Sequence, residues 1–336
     1  MTEPAAQAAL REKTWYRVAV FLGLVVLLVG GFLYGIGSGT VALPPDAVVA
    51  ALSGDTNDQW RRVVWDIRLP RVLLGGLVGM NLATSGAILQ AVMGNPLADP
   101  GIIGVSAGAG LAGITVLLVF PKHQVLVPVT AFCGALLTAI TIYALAWRGG
   151  IQPMRVVLAG VAVSALCAAG ISAVMVLFSD RIQGALMFMN GALTLRGWSE
   201  VQRLWPYSLG ALLATVFAIR RLDIIVLGDD VARGLGMNVQ ANRLALTAAA
   251  ALLAASAVSA VGLLGFVGLI VPHIVRLVLG SSHILLIPGA MLFGAALVMI
   301  SDTVSRTLFS PVEIPVGIMM AVFGVPFFLF LLRKTP

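Results

Sequence analysis

Residues 72–93 read VLLGGLVGMNLATSGAILQAVM, an unbroken run with no charged side chain and with glycines at Gly75, Gly76, Gly79 and Gly86. A helix that crosses a hydrocarbon core of roughly 30 Å needs about 20 such residues at about 1.5 Å each. Working outward from this run, similar stretches lie at approximately Arg17–Tyr34, Ile102–Phe120, Val125–Trp147, Val156–Phe178, Leu204–Ile219, Leu244–Leu264, Phe266–Gly280, Leu285–Ile300 and Ile314–Leu332. The stretches at Ile102 and Phe266 are short or glycine-rich, so the count is about ten. None alternates like a membrane β-strand. The chain is therefore expected to be an all-α polytopic membrane protein, with one transmembrane domain over residues 1–336.

Composition agrees. The 336 residues are 60% hydrophobic and only 10% charged, with a mean hydropathy of +1.03, where soluble domains carry about 25% charge. The first stretch follows Arg11, Lys13 and Arg17 but has no small-x-small cleavage site, so it reads as a retained helix behind a short N-terminal segment, 1–16. Cys133 and Cys167 lie inside apolar stretches and are expected to be buried small hydrophobes. An even number of spans puts both termini on one side, and Arg11, Lys13, Arg17, Arg333 and Lys334 assign that side to the cytoplasm. The bias is weak because Arg61, Arg62, Arg68 and Arg71 cluster in the first external interruption, residues 35–71. These arginines either pair locally with Asp55, Asp58 and Asp66 or form a docking surface for an acidic partner.

The other long polar interruptions are 179–203 outside and 220–243 inside. In the inner one, Asp229 and Asp230 precede a short segment that Gly234 or Gly236 closes, which predicts an N-capped surface helix. It is a plain connector or a plug for a partner. Absences narrow the function further. Spans nearly free of ionisable residues argue against an ion-coupled carrier. With Asp302 near a span end, His273 in the short eighth stretch and His283 in a loop, no proton relay is suggested. No G-x-x-x-x-G-K-[ST] loop is present, so any ATP-driven motor is another subunit. No triad, carboxylate pair or metal-ligand spacing is seen, so no enzyme chemistry, cofactor, metal or nucleic-acid partner is expected. Gly75-x-x-x-Gly79 and Gly104-x-x-x-Gly108 permit close helix approach. Pro96, Pro100, Pro272, Pro315 and Pro326 break or kink spans, which is tolerated inside protein or along a cavity.

Specific motifs go beyond this. Arg68-Leu69-Pro70-Arg71 leads into the opening run. There follow Ser85-Gly86-Ala87-x-x-Gln90, Asn95-Pro96-Leu97-Ala98-Asp99-Pro100, Gly104-Val105-Ser106-x-Gly108-Ala109, Leu158-Ala159-Gly160-Val161 and the Leu227-to-Gly236 loop. Last come Gly265-Phe266-Val267-Gly268-Leu269-x-x-Pro272-His273-x-x-Arg276 and Glu313-x-Pro315-Val316-Gly317. In this order they resemble the FecCD, or type II importer, family: permeases of iron–siderophore, haem and cobalamin ABC importers. The resemblance covers nearly the whole chain after about residue 60.

The resemblance implies a ten-helix subunit in the bacterial inner membrane. Its partners would be a second permease subunit, identical or related, two cytoplasmic ATPase subunits and an extracytoplasmic substrate-binding protein. By the same resemblance Arg68, Arg71 and Arg306 face acids of the binding protein, in the manner of charges that steer docking. Gly228, Asp229, Asp230, Ala232, Arg233, Gly234, Leu235 and Gly236 match the helix that couples to the ATPase. Asn95 and Leu97 match a cytoplasmic gate. Pro153 and Met154 stand at a second gate element where relatives can carry small polar residues. The implied cargo is a bulky metal chelate, a ferric siderophore first, with haem or cobalamin as the alternative and an ion-coupled carrier behind both.

Overall fold

The computed structural model describes residues 13–39, 43–53, 58–101, 104–148 and 152–334; Arg11, Asp55 and Ile102 lie outside them. Helices account for all regular structure among the described residues: α1 (Thr14–Gly37), α2 (Pro45–Ser53), α3 (Asp58–Arg61), α4 (Leu69–Met93), α5 (Val105–Val119), α6 (Val127–Ala146), α7 (Pro153–Leu177), α8 (Ile182–Met189), α9 (Trp198–Ile225), α10 (Asp229–Gly234), α11 (Val239–Val261), α12 (Val267–Leu279), α13 (His283–Thr307) and α14 (Val316–Lys334). Of these, α1, α4, α6, α7, α11 and α13 are long and apolar enough to cross a membrane, and α5, α12 and α14 are shorter apolar helices. The 28-residue α9 is long enough but stands apart from both groups, its ends carrying Glu200, Arg203, Arg220, Arg221 and Asp223. These ten follow the ten stretches in order.

The opening run is the centre of the molecule. Almost every residue of α4 is buried, and it packs against α13, α11, α9 and α12. Lipid is as apolar as leucine, so helices associate in it through close backbone approach and polar bonds. Both devices are present. At the α4–α13 crossing, a methyl group added to Gly79 would lie 2.0 Å from the Gly294 carbonyl oxygen; one added to Gly86 would lie 2.0 Å from that of Gly268 in α12. Asn81 Nδ2 donates to Ser208 Oγ of α9 (2.7 Å) and to Ser256 Oγ of α11 (3.3 Å). Ser85 Oγ donates to the Ala250 carbonyl (2.7 Å) and Gln90 Nε2 to the Gly268 carbonyl (3.2 Å).

Several expectations are corrected. The interruption before the opening run is largely helical: α2, α3 and a π-helical turn, Arg62–Arg68, lead into α4, whose first residues are already buried. Gly104 is not inside a helix; it holds a left-handed φ of 83° as the N-cap of α5. It packs closely all the same, since a methyl added there would lie 2.7 Å from Ile142 of α6 and 3.0 Å from Ser164 of α7, while Gly108 meets Thr138 and the Gly134 carbonyl of α6. His283 heads α13 and is not in a loop: the Asp223 carboxylate accepts from its backbone N–H (2.8 Å) and from its ring Nδ1 (2.7 Å). Cys167 is buried as expected, but Cys133 is exposed on α6, a surface that a membrane protein turns to lipid or to another subunit.

Candidate docking, coupling and gate sites

Alternate crossings place the α1 C-terminus, the start of α4, the end of α13 and the loop before α14 at one end of the bundle. There Arg68, Arg71 and Arg306 come together, and they point inward: all three are buried. Arg71 Nε and Nη2 donate to the two carboxylate oxygens of Asp302 (2.9 and 3.0 Å), and its Nη1 donates to Glu313 Oε2 (2.9 Å). Glu313 Oε2 also accepts from Thr194 Oγ1 (3.1 Å) in the α8–α9 connection. Arg68 Nη1 donates to the carbonyls of Ile36 (2.8 Å) and Gly37 (3.0 Å), and Arg306 Nη2 donates to that of Gly35. A helix C-terminus leaves its last carbonyls without intrahelical partners and carries partial negative charge. Two guanidinium groups supplied by other elements therefore cap α1. Burial pushes the Glu313 carboxyl up, but the charge and hydrogen bond of Arg71, with help from Thr194 and Arg306, hold it below its ordinary range.

Arg71 thus pairs with acids far away in sequence and not with a nearby one, and a fork of five donors suits that geometry; the side chains of Asp55 and Asp58 lie outside the described residues. Arg61 and Arg62 lie on the surface, beside Trp65, which accepts at its carbonyl from Trp198 Nε1 (2.8 Å). Of this arginine cluster, Arg61 and Arg62 are the exposed members.

At the opposite end, α10 starts one residue earlier than a cap at Asp229 requires. Gly228, at φ 98°, is the N-cap, and both aspartates fall in the first turn, where the helix dipole favours acids. Gly236, at φ 79°, closes the turn: its N–H donates to the Arg233 carbonyl (2.9 Å) and that of Met237 to Ala232 (3.0 Å). Arg233 pairs with Asp229 and Asp230 within the helix, and Arg243 Nη2 pairs with Asp229 (2.8 Å), pinning α10 to α11. Ala232 is fully buried and anchors the helix, whereas Val231 and Leu235 are half or more exposed. A methyl added at Gly234 meets nothing within 4 Å. The segment is a short, fastened helix that exposes Val231 and Leu235 beside the charged Asp230 and Arg233, with open space around Gly234.

The N-P-L segment follows directly on α4. Gly94, at φ 59°, ends that helix, and Asn95 Oδ1 then accepts from the Leu97 N–H (2.9 Å). Asp99 Oδ1 repeats the turn with Gly101 N–H (2.8 Å). Burial raises the Asp99 carboxyl to about 6 against that hydrogen bond. Asn95 is exposed and Leu97 half-buried. Pro153 opens α7 with Met154 exposed behind it. Asn95, Pro96 and Gly228 line one cavity, so the N-P-L segment and the start of α10 meet there; Met154 is not part of its described wall. No group of three or more His, Cys, Asp or Glu among the described residues is placed to hold a metal ion.

The FecCD transport family profile matches residues 26–334. The chain belongs to the FecCD transport family. It is 42% identical to the Fe(3+)-citrate import system permease protein YfmE of Bacillus subtilis (strain 168) over 92% of this chain and 93% of that one. It is 35% identical to the Iron(3+)-hydroxamate import system permease protein FhuG of the same organism, over 97% and 100%. In three dimensions it is similar to a metal-chelate-type ABC transporter solved in an inward-facing conformation, with TM-score 0.84, 27% identity and coverage of 94% and 99%. The membrane fold read from the sequence is thus that of an ABC permease. What the sequence did not disclose in this FecCD chain is which residues answer its arginines. Asp302 and Glu313 stand more than two hundred positions from Arg71, and no spacing rule links them.

Proposed function

We propose that this chain is the membrane subunit of a binding-protein-dependent importer that carries an iron(III) chelate, a ferric siderophore first, into the cytoplasm. Separate ATPase subunits drive it. The observation that carries the reading is α10: a fastened helix between two spanning helices, with Val231 and Leu235 exposed and open space around Gly234. Such a knob suits a groove on a partner, and ATP-driven closure of two partners would rock two permease halves about it. The end bearing α10 is then cytoplasmic, as are both termini, and the Arg71 end faces outward. Asn95 and Leu97, with Pro153 and Met154 of the same end, are proposed to close the path between two permease copies.

Docking of the binding protein is proposed for the outer face. Arg61 and Arg62 are its exposed arginines, while Arg71 and Arg306 lie beneath, answered by Asp302 and Glu313, and Arg68 caps α1. The names of the relatives support an iron(III) chelate as cargo. The reading is tested in proteoliposomes holding the chain, its ATPase and its binding protein, offered ferric citrate, a ferric hydroxamate, haem and cobalamin in turn. ATP-dependent accumulation of an iron chelate is expected; accumulation of haem or cobalamin alone would assign the cargo elsewhere, and ATP-independent flux would remove the importer reading.

A further inference from the structure

The cavity at the α10 end, between α4, the α9–α10 turn, α12 and α13, has a chemistry that neither coupling nor gating explains. It has a volume of about 390 Å³ and is open on one side, and its wall includes Arg243, Arg276, His283, Ser281 and Asn95 with no acidic side chain. That volume falls within the roughly 300–1,000 Å³ of small-ligand pockets. Two of the three basic groups are already balanced, Arg243 by Asp229 (2.8 Å) and His283 by Asp223 (2.7 Å). Arg276 is not. Its Nη2 donates to the neutral amide oxygen of Gln90 (3.1 Å), and it makes no ion pair with a carboxylate among the described residues. A partly buried, uncompensated guanidinium is costly unless something anionic answers it.

His283 Nε2 and Arg243 Nε are buried without a hydrogen-bond partner and have almost no accessible surface. What the wall offers a ligand is therefore guanidinium charge: Arg276, which no carboxylate among the described residues answers, with Arg243 on the same wall. We propose that this cavity binds a phosphate ester, with Arg276 and Arg243 at the phosphate. Two sources share that chemistry, the phosphoglycerol headgroup of the adjoining leaflet and a soluble phosphate ester; basic pockets between helices at a membrane surface are known to take lipid phosphates. The proposal stands on the cavity alone and does not depend on the ATPase.

The test uses the full chain, stripped of lipid in detergent. Glycerol 3-phosphate is titrated by calorimetry against glycerol and against sodium chloride at matched ionic strength. In parallel, retention of phosphatidylglycerol or phosphatidylcholine after passage through vesicles of each is read by native mass spectrometry. Saturable binding of glycerol 3-phosphate is expected, weakened at least tenfold in Arg276→Gln, largely kept in Arg276→Lys and unchanged in Arg61→Gln. Selective retention of phosphatidylglycerol assigns the lipid source; binding of the soluble ester without lipid retention assigns the other. Absence of saturation below about 10 mM, or equal binding by Arg276→Gln, overturns the proposal. So does a silent titration with position 276 cross-linking to an acidic side chain of the assembled ATPase, a result that would leave the importer reading intact. Loss of ATP-driven uptake with anion binding preserved would have the opposite meaning.

Discussion

Replacing Arg71 by Met should unfold the outward end of the molecule, and the structure sets the size of the effect. The guanidinium makes three charge-assisted bonds of 2.9–3.0 Å to Asp302 and Glu313. The Arg71 and Asp302 side chains are only 8% and 4% exposed, whereas Glu313 is 27% exposed. Removing one partner of a buried pair leaves the other charged and poorly solvated, at a cost of about 3–5 kcal/mol; the Glu313 bond adds less because water screens it. The folded population should fall about a hundred- to several-thousand-fold. Asp302 would then keep only the longer contact to Arg306 Nε (3.9 Å), so the penalty comes mainly from a poorly paired buried carboxylate, and Arg71→Met with Asp302→Leu should recover part of it. Denaturant titration in mild detergent measures both variants, with Trp65 and Trp198, 5.9 Å apart at this end, as the fluorescent reporters. A single variant within about 1 kcal/mol of wild type, or a double variant no better than the single, would refute the reasoning.

Gly79→Ala should destabilise by about 2–3 kcal/mol or more because its methyl meets the Gly294 carbonyl, while Gly30→Ala, with nothing within 4 Å, should be neutral or gain up to about 1 kcal/mol; the same titration compares them. Asp99 binds its proton more tightly folded (about 6) than its ordinary 3.8, so it opposes folding increasingly as pH rises between those values and by a constant amount above. At ~1.4 kcal/mol per pH unit the upper bound is about 3 kcal/mol, and the partial exposure of Asp99 lowers it to on the order of 1–2 kcal/mol. Asp99→Asn, which keeps the acceptor for Gly101, should therefore melt above wild type at pH 7.5 and level with it near pH 4. Arg61→Glu with Arg62→Glu should weaken binding-protein association at low salt and lose its effect at high salt, which a salt series of binding isotherms checks; charge reversal at Arg68 or Arg71 instead tests folding.

Length, hydropathy and glycine content made the helices legible, because a run such as 72–93 has no other stable solvent than lipid and protein. The small-x-x-x-small spacing found the close approach at Gly79 and at Gly104, but not that Gly104 is a left-handed cap and not a residue inside a helix; the two look alike in sequence. The arginine cluster was legible as charge, and its orientation was not. Whether a guanidinium turns to water or inward depends on partners such as Asp302, Glu313 and the α1 carbonyls, which only the packed bundle brings within 3 Å. The α10 segment was read correctly as a short surface helix because its aspartates and glycines are local signals, although Gly228 and not Asp229 forms the cap.

The most direct test of the account places a bulky side chain where the chain itself has room and a partner would not. Gly234→Trp, in proteoliposomes with the ATPase and the binding protein, should leave folding and basal ATP hydrolysis by the motor unchanged while abolishing ATP-driven accumulation of the ferric chelate. Uptake by this variant at the wild-type rate would contradict the claim that α10 transmits the work.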